Sequence, residues 1–223
     1  GLMDQMGSSV GGAVFIDFDD PINPIVEKVN YDFSGSGYAL CIVDTGSSHG
    51  DLTGDYADIT KEMGAVAAHF GKKVLRDVSV TDFRAAIPAL RQECGDRAVL
   101  RATHFYADDH RALLEAAALE NGDFDFFLSL VNQSGLSSAL HLQNTWSVHD
   151  TRQQAIPLAL AEAERLLDGG ACRVHGGGFA GTIQAWVPNG DLEQFKAGME
   201  ALLGEGKCHI LHIRPQGGCV VAE

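Results

Sequence analysis

The chain has 223 residues, 45% hydrophobic, 8% aromatic and 21% charged, which is enough apolar material for a sizeable core and excludes a disordered chain. Sixteen basic residues against thirty acidic ones leave a formal net charge of −14. With no Lys/Arg run to neutralise phosphates, neither nucleic acid nor an anionic membrane is an expected partner. No apolar run reaches the ~18 residues of a membrane span, and the opening Gly1-Leu2-Met3-Asp4-Gln5 lacks the basic start of a signal peptide.

Along the chain, Ala13 to Phe18 reads as a strand and Ile25 to Phe33 as a second one, after Pro21 and Pro24. Two strands alone are marginal, so this piece is expected to lean on something else. The continuous apolar run Tyr38 to Val43 marks a strand covered on both faces. Ile59, Met63, Val66 and Phe70 form one helical stripe over Asp55 to Phe70, with Gly71 as its C-terminal cap. Phe83 to Arg91 reads as a short helix interrupted by Pro88. A long amphipathic helix spans Arg97 to Glu120, and Asp123 caps another through Phe124, Phe127, Leu128 and Val131.

Asn132 to Arg152 is polar and expected to be the longest irregular segment. Gln154 to Leu167 is helical, and Gly169-Gly170 ends it. There follow a strand (Ala171 to Val174), a glycine-rich turn, a strand (Thr182 to Val187), a helix (Asp191 to Leu203) and two strands (Lys207 to Ile213, Cys219 to Ala222). Asp191 is expected to cap that helix, and Leu192, Phe195, Met199 and Leu202 to bury its inner face. The fold class is α+β: a ferredoxin-like antiparallel sheet with helices on one face.

The five cysteines, Cys41, Cys94, Cys172, Cys208 and Cys219, are odd in number and scattered. They suit buried thiols in a reducing cytoplasm. No metal site is expected. His209 and His212, three apart on a strand, point to opposite faces, and Asp108-Asp109-His110 reads as a solvated helix face. Ser134-Gly135-Leu136-Ser137-Ser138-Ala139 could expose backbone N–H groups to a phosphate, but no strand precedes it and no lysine follows. His175-Gly176-Gly177-Gly178-Phe179-Ala180-Gly181-Thr182 is the strongest local signal. Three successive glycines are either a tight hairpin or a turn with positive φ approached closely by another backbone or a ligand. Asp4 alone is an ordinary acidic residue, and Tyr56 alone a helix-start aromatic.

Taken in order, these segments resemble the C-terminal part of the galactokinases, in the GHMP superfamily of small-molecule kinases. Gly1-Leu2-Met3-Asp4-Gln5 resembles the family's G-[IL]-M-D-Q segment, and Gly37 to Tyr56 the strand and polar loop beside the sugar. Arg101-Ala102-Thr103-His104 and Gly122-Asp123 fit its helical region. Gly176-Gly177-Gly178-Phe179-Ala180-Gly181 is similar to the superfamily's third motif, G-G-G-F-G-G. The sequence departs from the pattern at Ala180 and at Asn132-Gln133-Ser134-Gly135, which replaces a commoner Ser-His segment. The Gly/Ser-rich ATP loop and the arginine that pairs with the aspartate, both expected before Asp4, are absent.

The resemblance implies residues 1–36 as the tail of an N-terminal kinase domain, with the rest of that domain missing, and residues 37–223 as a GHMP-kinase C-terminal domain. It implies a cytoplasmic enzyme that uses ATP and Mg²⁺ to phosphorylate the anomeric hydroxyl of D-galactose, this chain alone being inactive. Asp4 aligns with the catalytic aspartate, Gly1 and Tyr56 with positions that contact the sugar. Gly176, Gly177, Gly178 and Gly181 form a glycine loop on the nucleotide cleft. A kinase for another sugar and a non-catalytic sugar sensor are the alternatives.

Overall fold

The computed structural model describes residues 2–47 and 52–219. It opens with a helix, α1 (Leu2–Val10), that the sequence reading did not assign. An antiparallel hairpin of β1 (Ala13–Asp17) and β2 (Ile25–Val29) follows, with Ala13 opposite Val29. The second strand stops short of Phe33, which begins a 3₁₀ turn capped by Asp32. The support this hairpin needs is aromatic: Ala13, Phe15, Val29, Tyr31 and Phe33 join a cluster with Leu119, Phe124 and Trp186. Tyr31 stacks on Phe124 and Phe33 on Trp186, with ring centroids 5.5 Å apart in each pair.

Strand β3 (Tyr38–Asp44) leads to helix α2 (Thr53–His69). Gly71, at φ +69°, closes this helix as the sequence indicates. Helix α3 (Val80–Glu93) is longer than expected and runs through Pro88. Its start is fixed outside the predicted window, where Ser79 Oγ accepts the Asp82 N–H at 3.1 Å. Buried Phe83 and Leu90 hold the turns on either side of the proline. Helix α4 (Asp96–Glu120) runs beside α5 (Phe124–Ser137), where Asp123 accepts the Phe126 N–H at 3.0 Å.

The stretch expected to be irregular from Asn132 is helical to Leu142, because α5 continues into a π turn over Ser138–Leu142. Its serines read as loop formers, yet Ser134, Ser137 and Ser138 are buried and bonded to neighbouring side chains. Helix α6 (Ala155–Leu166), β4 (Ala171–Val174), β5 (Thr182–Pro188), α7 (Leu192–Leu203) and β6 (Cys208–Leu211) complete the fold. Asp191 stands at the start of α7, but its side chain makes no capping bond. Leu202 is exposed, whereas Phe195 and Met199 are fully buried. The last predicted strand does not form at Cys219, and residues 220–222 lie outside the described residues.

The sheet runs β4-β5-β3-β6, all antiparallel, with Cys41 opposite Ala185 and Ile210. Cys41, Val43, Ile183, Ala185 and Val187 face α6 and α7, packing on Ile156, Ala163, Phe195 and Met199. The alternate residues, Tyr38, Leu40, Ala171 and Trp186, face the aromatic cluster and α5. Helices therefore cover both faces, as the continuous apolar run of β3 implies, and not one. Gly135 lets α5 approach β4 closely, since a Cβ there would stand 2.8 Å from Cβ of Arg173.

Candidate functional site

The turn between β4 and β5 uses its glycines in two ways. Gly176, Gly178 and Gly181 have φ of +70°, +82° and +91°, and Phe179 joins them at +59°, a conformation that side-chain-bearing residues adopt rarely. Gly177 needs its missing side chain for close approach instead, because a Cβ would lie 2.8 Å from Cε1 of Tyr56. Gly178 needs both properties, since its Cβ would meet the Asn144 carbonyl oxygen at 2.0 Å.

Three distant segments converge on this turn. At the exit of β3, the Thr45 N–H and Oγ1 donate to the Gly181 carbonyl at 2.9 and 2.7 Å, and the Gly181 N–H donates to Ser47 Oγ at 3.1 Å. From α2, the Tyr56 hydroxyl donates to the Gly178 carbonyl at 2.7 Å. The Tyr56 ring meets Phe179 at 5.3 Å between centroids, edge to face. Burial, helped by the charge of Asp55, raises the Tyr56 phenol above its ordinary value, so it remains a donor. Beyond the π turn, Asn144 O accepts the Phe179 N–H at 2.5 Å, and its Nδ2 donates to the Gly177 carbonyl at 3.1 Å.

The carbonyls of Gly177, Gly178 and Gly181 are thus occupied. The N–H groups of Gly176 and Gly177 donate to no acceptor among the described residues, and both glycines are exposed. Successive N–H groups left unbonded on exposed residues are available to an anion. Beside the turn lies a cavity of about 550 Å³ lined by Gly46, Ser47, Ser147, His149, Asp150 and Phe179. Buried Asp55 accepts the Ser147 hydroxyl at 2.8 Å, and Ser147 Oγ accepts the His149 N–H at 3.1 Å, which fixes that wall.

Of the residues singled out in the sequence, the structure brings together Tyr56 and the glycine turn. Asp4 lies exposed in the first turn of α1 and contributes nothing to the lining of this cavity. Gly1 lies outside the described residues. Sequence reasoning missed Asn144, Asp55 and Ser147. Asn144 carried no signal within a polar stretch, and Asp55 was legible only as the neighbour of Tyr56.

The Ser134–Ala139 segment is no phosphate loop, because its backbone belongs to α5 and the π turn. Its hydroxyls serve a half-buried network between α4 and β4. Asp108 accepts the Ser134 hydroxyl at 2.7 Å and pairs with Arg111, while Arg173 donates to Ser134 at 2.5 Å. Asp108 is therefore not part of a solvated face, since α5 and β4 pack over it, and exposed Asp109 pairs with Arg76 at 3.0 Å. His104, buried, lies 2.9 Å from Ser137 Oγ. Burial lowers its affinity for a proton despite nearby Asp108. Burial pushes the Glu115 carboxyl up to about 7 in the same network.

Cys41, Cys172 and Cys208 are buried as expected, but Cys94 is only half-buried and Cys219 is exposed. A thiol hydrogen bond with Cys208 and burial both push the Cys41 thiol up, and burial pushes Cys172 up to about 12, leaving both poor nucleophiles. Among the described residues no group of three or more His, Cys, Asp or Glu is arranged to hold a metal, and His209 and His212 are both exposed. No helix among them is long and apolar enough to cross a membrane.

No protein-family model matches the chain. It is 28% identical over 210 residues to a galactokinase of Glaesserella parasuis serovar 5 (strain SH0165), covering 88% of this chain and 48% of that protein. It is 30% identical over 199 residues to a galactokinase of Actinobacillus succinogenes, covering 86% and 48%, and 29% identical over 187 residues to one of Streptomyces coelicolor, covering 82% and 44%. The chain thus spans about half the length of the curated relatives it matches. Among solved structures, Lactococcus lactis galactokinase complexed with galactose superposes with a TM-score of 0.68 at 18% identity, over 93% of this chain and 53% of that one. L. major mevalonate kinase in complex with R-mevalonate gives a TM-score of 0.50 at 12% identity, over 88% and 47%. The mixed helix and antiparallel sheet is that of these kinases, and the chain is galactokinase-like, built on the GHMP-kinase fold.

Proposed function

We propose that the protein carrying this chain is an ATP-dependent sugar kinase that phosphorylates the anomeric hydroxyl of D-galactose, giving galactose 1-phosphate. The observation that carries the reading is the docking of Tyr56 on a glycine turn whose exposed Gly176 and Gly177 donate their N–H groups to no acceptor among the described residues. Those donors fit phosphate oxygens, and the polar cavity beside the turn offers Ser47, Ser147, His149 and Asp150 to a hydroxyl-rich ligand. The likeness to curated galactokinases supports the choice of sugar.

Phosphoryl transfer has a loose transition state, so the protein contributes mainly positioning and charge stabilisation. In this reading Asp4 takes the proton of the anomeric hydroxyl as its oxygen bonds to the γ-phosphorus and the bond to the ADP oxygen breaks. Tyr56 holds the wall between sugar and turn, and the turn's N–H groups hold phosphate oxygens. Mg²⁺ bound with ATP would supply charge neutralisation on the phosphates.

The test is a coupled assay for ADP release on the whole protein with ATP and Mg²⁺, offering galactose and a panel of other hexoses and amino sugars. Galactose-dependent turnover is the expected result. Turnover with a different sugar alone replaces the substrate, and sugar binding without turnover makes the protein a sensor.

A further inference from the structure

Asn144 is 3% exposed and faces the glycine turn with both its backbone and its side chain. Its carbonyl holds the Phe179 N–H at 2.5 Å, and its Nδ2 holds the Gly177 carbonyl at 3.1 Å. With the Tyr56 hydroxyl on the Gly178 carbonyl, these bonds fix two successive peptide planes, 177–178 and 178–179. The free N–H groups of Gly176 and Gly177 stand immediately upstream, so their direction is set by that anchoring.

Asn144 is itself held from behind. Gln143, at φ +57°, donates its N–H to the Ser138 carbonyl at 2.8 Å and turns the chain out of the π turn. Buried Arg101 donates its Nε to the Leu142 carbonyl at 3.1 Å and its Nη1 to Glu62 at 2.9 Å. The clamp therefore presses the turn against a rigid support. Asn144 Oδ1 is buried without a partner among the described residues, a cost that an apolar residue of similar size would avoid. The carboxamide is placed for its donor, and that donor serves the turn.

We infer that Asn144 is a positioning residue that sets the affinity of the glycine turn for the phosphates of a nucleotide. This rests on the sugar-kinase reading above. An Asn144→Ala variant loses only the Nδ2 bond, because the backbone bond to Phe179 remains, so the fold is kept. An Asn144→Asp variant keeps the shape but turns a carboxylate toward the Gly177 carbonyl and toward the phosphate side.

The experiment measures ATP and galactose kinetics of the whole protein for wild type, Asn144→Ala and Asn144→Asp, with amide hydrogen exchange on the segment 175–182. The expected result is an ATP KM raised about tenfold in Asn144→Ala and further in Asn144→Asp, a galactose KM within about threefold, and faster exchange at residues 176–179. As pH falls and the new carboxyl takes up a proton, Asn144→Asp is expected to recover toward Asn144→Ala. An ATP KM within about twofold of wild type in both variants overturns the inference, as does an equal rise for ATP and sugar. Should either variant melt far below wild type, kinetics are read at a temperature where it is folded, and Asn144→Ser, which also lacks the Nδ2 donor to the Gly177 carbonyl, must show the selective ATP effect there or the inference fails. A wild-type protein that binds no nucleotide overturns the sugar-kinase reading itself. Unchanged exchange in the variants would then overturn the clamp as well.

Discussion

Between Gly176 and Gly181 the backbone is tied by side chains from three separate segments, Thr45 and Ser47, Tyr56, and Asn144. The helix that carries Asp4 buries no residue. Helix α1 is fastened at its far end, where Ser9 and Val10 carbonyls accept the Gly218 and Gly217 N–H groups at 3.1 Å each. The two regions would serve the same reaction, yet one is a shape fixed by this chain and the other a carboxylate held out from it. The difference teaches that positioning and proton transfer can be separated by mutation. Changes at the turn must disturb both stability and ligand affinity, whereas changes at Asp4 must touch chemistry alone.

The largest expected effect is at Asp4. In the whole protein, Asp4→Asn keeps the shape but cannot take a proton, so turnover falls roughly a hundredfold or more while sugar affinity stays within about tenfold. Steady-state kinetics beside thermal melts check this, with the melting temperature unchanged because Asp4 is exposed. Near-wild-type turnover would remove Asp4 from the reaction.

Gly177→Val is the counterpart in the turn. Its Cβ would stand 2.8 Å from the Tyr56 ring, forcing the phenol off the Gly178 carbonyl. A loss of about 1–3 kcal/mol in stability, of the size overpacking costs, is expected together with loss of turnover. If calorimetry and kinetics both match wild type, the contact between Tyr56 and the turn is dispensable.

A third test concerns the network that backs β4, the strand that enters the turn. Burial raises the folded-state Glu115 carboxyl from 4.5 to about 7, with Asp108 adding to the rise and Arg173 and Arg111 opposing it. A carboxyl that holds its proton more tightly when folded loses stability as pH rises from 4.5 through about 7. Glu115→Gln should therefore match wild type near pH 4 and exceed it by about 1–3 kcal/mol at pH 8. His104 acts in the opposite sense. Its lowered affinity for a proton makes the folded state lose stability as pH falls through the unfolded value of 6.5. Melts of both proteins across this pH range decide the matter, and parallel curves would show that Glu115 is solvated like any surface carboxylate.

The smallest effect is expected at Asp191, whose side chain makes no capping bond at the start of α7. Asp191→Ala should shift stability by no more than about 0.5 kcal/mol. A loss near 1 kcal/mol in chemical denaturation, the usual worth of an N-cap, would show that the side chain caps in solution.

Periodicity and turn chemistry located most elements because those signals are local. The apolar run of β3, the stripe of α2 ending at Gly71, and the Asp123 cap of α5 each depend on residues within a few positions of one another. The triple glycine could be singled out for the same reason, since surplus conformational freedom is visible in composition alone. By itself the sequence thus determined the order of the elements from β1 to β6, the antiparallel α+β class and the glycine turn between β4 and β5. Only the tertiary structure decided that Asn132 to Leu142 is helical, because the serines that read as loop formers find Asp108, His104 and Arg173 across the interface with α4 and β4. It alone decided the partners of the turn as well. Asn144 and Gly177 are 33 residues apart, and Tyr56 and Gly178 are 122. A hydrogen bond over such separations exists only once the sheet and helices have brought its two ends together, so nothing in the local sequence could announce it.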